Sequence, residues 1–113
     1  MINLGISVGY PATLKLFRDS TQICFGSATP LGNRHATTTV PMQQGGGGDI
    51  NRGINAIIHF LDSPSTTSSI TYKIQGGVLQ SSGTFQLNSS GGDADQTYIT
   101  RSASTITVME VKG

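Results

Sequence analysis

The chain has no tryptophan, a single cysteine and few charges, with Lys, Arg, Asp and Glu together making up 12% of its 113 residues. With Cys24 alone, no disulfide forms within the chain, and the thiol reads as a small apolar core group. Seven basic residues face six acidic ones for a net charge of +1, scattered along the sequence. No basic stripe is available to hold nucleic acid or an anionic lipid surface. No apolar run approaches the ~20 residues of a membrane-spanning helix, so no membrane insertion is expected. The start also lacks the basic region of a secretory signal. Helical periodicity is missing from every window long enough to hold a helix.

What is there is Ser, Thr, 15 glycines and short runs in which apolar and polar residues alternate. Thr favours strands, while Ser and Gly favour turns, and a chain of this length forms one domain with its own core. The stretch 53–75 anchors the pattern. It reads as a long apolar strand (Ile54, Ala56, Ile58 and Phe60 on one face, Ile57 and Leu61 on the other), a polar turn around Pro64, and a second strand. In that second strand Ile70, Tyr72 and Ile74 alternate with Thr71, Lys73 and Gln75. The pair is expected at the centre of a sandwich, as a hairpin covered on both faces.

Further strands are expected over residues 1–8, 13–18, 22–26, 33–42, 84–88, 97–100 and 104–112, with 78–80 continuing the ladder past a bulge after Gly76-Gly77. Asp19-Ser20-Thr21 reads as a tight turn. A strand beginning at residue 1 fits either an initiator Met1 or the end of a longer polypeptide. The expectation is all-β: a single antiparallel β-sandwich over residues 1–113, jelly-roll-like, with eight or nine strands of ~5–6 residues.

The sequence offers little catalytic chemistry. Gly5-Ile6-Ser7-Val8-Gly9 has the spacing of a nucleophile elbow, but that motif works at a strand-to-helix turn, and here Tyr10-Pro11 and another strand follow. His35 and His59 lie far apart, and with one Cys they make no zinc pattern. Asp93 and Asp95 supply two carboxylates where Ca²⁺ takes ~6–8 oxygens, so a solvated turn is the default. Asn88-Ser89-Ser90 has the form of a glycosylation acceptor. Gly45 to Gly48 have no following Lys and are no phosphate cradle. The chain reads as a non-enzyme without cofactor. Its candidate contacts with a partner are Arg34, His35, Gly45, Gly46, Gly47, Gly48, Asp49, Asn51, Arg52, Asp93 and Asp95, in or beside loops rich in Gly, Ser and Asn.

Three stretches carry a resemblance: Leu16-Phe17-Arg18-Asp19-Ser20-Thr21; Phe60-Leu61-Asp62-Ser63-Pro64-Ser65-Thr66-Thr67 with Ile70-Thr71-Tyr72-Lys73-Ile74-Gln75; and Arg101-Ser102-Ala103-Ser104-Thr105-Ile106-Thr107-Val108-Met109-Glu110. Together they resemble a β-rich domain of structural and tail-fibre-like proteins of bacteriophages, particularly aquatic ones. The resemblance implies a compact sandwich, trimeric, displayed on the surface of a virion and made in the host cytoplasm. Its implied partners are other copies of itself, other capsid or tail proteins, and a glycan or protein of the host surface. The expected role is a fibre or spike module that contacts the host. The small size of the chain motivates the alternative, a capsid decoration (cement) protein on the outside of the head. A carbohydrate-active hydrolase is the third reading, and it needs a carboxylate pair that the sequence does not bring together.

Overall fold

The computed structural model describes residues 1–6, 11–26, 32–41, 53–79, 83–92 and 94–111. Among them there is no helix, and the strands form two antiparallel sheets of three. The first has the order β4 (Ile54–Ala56), β1 (Ile2–Ile6), β6 (Phe85–Leu87). The second has the order β3 (Thr21–Ile23), β2 (Ala12–Arg18), β5 (Tyr72–Val78).

The centre is not where the apolar stretch 53–75 suggests. β4 and β5 do not pair: β4 lies on β1, with Ile2 opposite Ala56, and β5 lies on β2 along its full length, from Ala12↔Val78 to Arg18↔Tyr72. Both are edge strands, and β1 and β2 are central. The expected strand over 53–61 ends at Ala56, and residues 57–71 carry no ladder. A connection of that length gives no tight hairpin, and it takes the chain from one sheet to the other.

Leu4, Ile6 and Leu14 are fully buried, and with Ile2, Ala12 and Ala56 they form one core fed from both sheets. Ile54, Ile58, Ile74, Val78 and Phe85 pack around it. The Phe85 ring lies directly over Gly76, where a Cβ would meet its Cε atoms at 2.8 Å. β5 runs through Gly76-Gly77 to Val78 in unbroken register, so the expected bulge is not there. The bare glycine backbone gives the opposing aromatic ring room to settle on the strand.

β1 is buried on both faces rather than half-buried. Its second face is occupied by the chain that leaves β6. A Cβ on Gly5 would lie 2.5 Å from the Ser89 carbonyl oxygen, against the backbone of residues 89–91. Beside it, the Asn3 amide N–H donates to Ser104 Oγ at 2.9 Å, Asn3 Nδ2 donates to the Ala103 carbonyl, and Ser104 Oγ donates to Asn88 Oδ1 at 2.6 Å. Asn88 holds φ at +62°, a value that asparagine tolerates better than most residues, and this turns the chain out of β6. With its side chain engaged and Ser90 fully buried, the glycosylation motif is built into the interior face.

The two Thr- and Ser-rich expected strands at 33–42 and 104–112 form no regular ladder among the described residues. Thr39 makes an isolated bridge to Leu14, and the next β2 amide, Leu16, donates to Thr38 Oγ1 at 2.8 Å. At Asn3, Ser104 Oγ likewise accepts where a backbone carbonyl would stand. Hydroxyl side chains compete with the backbone for ladder partners, and here they win. Residues 97–100 start in a turn, with the Ile99 N–H donating to the Gln96 carbonyl at 3.1 Å.

The turn at Asp19-Ser20 and the short strand within 84–88 are where they were expected, while the strand expected over 22–26 is shorter and starts at Thr21. Arg18 pairs with Thr21, so Asp19-Ser20 is a two-residue hairpin connection, with Asp19 at φ +52°. β3 stops at Ile23, because Cys24 turns to φ +51° and takes Phe25 out of step. Cys24 is therefore half-buried at a strand end and not a core thiol.

Candidate functional site

Two features stand apart from the packing of the sheets. The first is a fastening at one end of the second sheet. Arg18 and Tyr72 are cross-strand partners, and both reach Asp62 in the connection 57–71. Arg18 Nη1 donates to Asp62 Oδ1 and Oδ2 at 3.0 Å each, and Tyr72 Oη donates to Oδ2 at 2.8 Å. The Tyr72 hydrogen bond is the largest influence on the Asp62 carboxyl. With the Arg18 charge it outweighs partial desolvation and holds the group below the usual aspartate range. The same bond holds the Tyr72 hydroxyl above the usual tyrosine range. Asp19 adds a second clasp: its backbone N–H donates to the Thr71 carbonyl at 2.8 Å and its carboxylate accepts from the Thr71 N–H at 2.9 Å. Asp19 thus holds a distant strand entry as well as its own turn. A carboxylate so engaged is a structural lock.

The second feature is a shallow hollow of about 380 Å³ lined by Ala94, Asp95, Gln96, Ile99 and Arg101, with the exposed Tyr98 in the same turn. It is open to solvent, and its lining carries a carboxylate, an amide and an aliphatic side chain beside Arg101. Of the contact candidates, only Asp95 lines it. Arg34 and His35 are exposed and lie in a separate segment. Gly45, Gly46, Gly47, Gly48, Asp49, Asn51, Arg52 and Asp93 lie outside the described residues, as does Ser7. Among the described residues, no three His, Cys, Asp or Glu side chains come together in a way that would hold a metal ion.

Sequence reasoning missed Gln96, Ile99 and Arg101, because a short turn rather than a strand gathers them. It also misplaced the apolar residues at 57–61 and 106–111. Ile57, Phe60 and Leu61, and Ile106, Val108, Met109 and Val111, are exposed, with Leu61 at 85% and Met109 at 81%. Single exposed apolar residues are ordinary, but runs of them mark surfaces that meet another molecule. No helix among the described residues is long and apolar enough to cross a membrane. No protein family, curated protein or solved structure matches the chain.

Proposed function

We propose that this chain is a non-enzymatic structural protein of a bacteriophage virion, an oligomeric surface module of a tail fibre or spike that contacts the host surface. In this reading the two sheets are the halves of a jelly-roll-like β-sandwich, and further strands are completed between subunits. The observation that carries the reading is the exposure of Ile57, Phe60 and Leu61 and of Ile106, Val108, Met109 and Val111, which suits a subunit of an assembly better than a solitary catalyst. The polar hollow at Ala94–Arg101 supports a contact with a host glycan, and the three stretches that resemble phage structural proteins supply the setting.

The test is to locate the protein. Gold-labelled antibody on purified particles should mark the tail, and the isolated protein should compete with phage adsorption. Abundant labelling of the head would assign the capsid-decoration role instead. A chain missing from particles altogether would refute both.

A further inference from the structure

We infer that residues 58–70 form a strap across one end of the second sheet, latched by Asp62 and released by acid while the sheets stay folded. Strand alternation puts Arg18 and Tyr72 on the inward face of that sheet, in one row with Leu14, Leu16 and Ile74. The pair ends the row, so the Asp62 carboxylate that bridges them stands where the apolar filling stops. Little else holds the strap. None of residues 58–70 is buried, and only Ile58, Asp62, Pro64 and Ile70 are half-buried. Among the described residues, every hydrogen bond from this segment to the sheets ends on the Asp62 carboxylate. The bond from the Ser68 N–H to Thr66 Oγ1 stays within the strap. Of its apolar side chains, Ile58 packs on the core.

Such a segment yields before the fold does, because local opening costs least where buried apolar contacts and backbone hydrogen bonds are few. The groups facing Asp62 are Arg18 from β2 and Tyr72 from β5, with Asp19 in the adjoining turn, and the strap's own His59 is exposed. Arg18 stays charged and Tyr72 stays neutral in acid, so within this trio Asp62 is the member whose charge changes. Its protonation removes the charge that Arg18 meets and leaves one full acceptor oxygen for three donated hydrogen bonds. Protonating Asp19, whose carboxylate accepts from the Thr71 N–H, weakens the far end of the strap in the same sense. The Asp62 carboxyl lies below the usual aspartate range in the closed chain. Closure is therefore fully supported above about pH 4 and weakens as pH falls through the closed-state value. Release opens the end of the row that holds Leu16 and Ile74.

The test is ¹⁵N relaxation of the purified full chain, read residue by residue at neutral pH and down an acid titration to about pH 2. At neutral pH the order parameters of residues 58–70 should lie near those of β2, at about 0.85. In acid they should fall below about 0.6 while β2 and β5 remain rigid. Asp62→Ala should open the strap in the same way at neutral pH. Glu110→Gln removes an exposed carboxylate outside the latch and should leave the strap closed. The inference is overturned by a strap already mobile in the unaltered chain at neutral pH, or by one that stays ordered either in acid or in Asp62→Ala. Loss of order in the strap only together with β2 and β5 would also overturn it. The acid titration needs no variant to fold. None of these outcomes bears on whether particles contain the chain, so the virion reading stands or falls separately.

Discussion

Tyr72 and Asp62 are joined by a 2.8 Å hydrogen bond that ties the ladderless connection 57–71 to the edge of the second sheet, with Arg18 closing the group from the neighbouring strand. The bond lowers the pKa of Asp62 and raises that of Tyr72, which gives stability a pH signature at both ends. Asp62 titrates lower in the folded chain than in the unfolded one. Its contribution is present above the ordinary carboxylate pKa of about 4 and is lost as pH falls through the folded value. Tyr72 titrates higher when folded, so its contribution is present below about pH 10 and is lost as pH rises through the folded value. Thermal melts across pH should show a plateau between two falling limbs. Asp62→Asn should flatten the acid limb, and Tyr72→Phe the alkaline one. Unchanged limbs in both variants would show that the cluster adds nothing to stability.

Two glycines should respond differently to alanine. At Gly5 the new methyl meets the backbone of residues 89–91, which cannot move without unseating the face of β1. A loss of about 1–3 kcal/mol or more is expected in chemical denaturation. At Gly76 the obstacle is the Phe85 ring, a side chain that can be shortened. Phe85→Leu should therefore restore part of the stability lost in Gly76→Ala, a coupling that a double-mutant cycle measures directly. Strictly additive losses would place the ring elsewhere.

Burial separates Leu14 from Met109. Leu14→Ala removes a core side chain at the meeting of the two sheets and should cost about 2–5 kcal/mol. Met109→Ala should leave the unfolding free energy of a dissociated chain within about 0.5 kcal/mol. Similar losses at both sites, measured in dilute denaturant titrations, would mean that residue 109 is buried within the single chain.

The hollow beside Tyr98 yields an expectation about binding. Asp95→Ala and Tyr98→Ala should reduce competition with phage adsorption while leaving the melting temperature unchanged, since both side chains are exposed. Full competition by the double variant would move the host contact away from this turn.

Strand positions with clean alternation were readable from the chain itself: residues 70–75 face alternately in and out as their pattern demands, and Ile2, Leu4 and Ile6 all enter the core. The Thr- and Ser-rich stretches misled, because β propensity does not reveal whether a hydroxyl will take the place of a ladder carbonyl, as Thr38 and Ser104 do. The Asp95 carboxylate was recognisable as a surface group. Its companions Gln96, Ile99 and Arg101 were not, because no local periodicity gathers them.

The sequence by itself determined that the chain is all-β, since period-two alternation and turn-forming residues leave no room for a helix, and it determined the apolar faces of β1 and β5. Tertiary structure alone decided which strands pair. Residues 53–75 look like one hairpin, yet β4 and β5 go to different sheets, because each finds a longer or better-covered partner in β1 or β2. Pairing depends on the burial that distant segments supply, and Ala103, Ser104 and Thr105 meet Met1 and Asn3 across 100 or more residues of sequence.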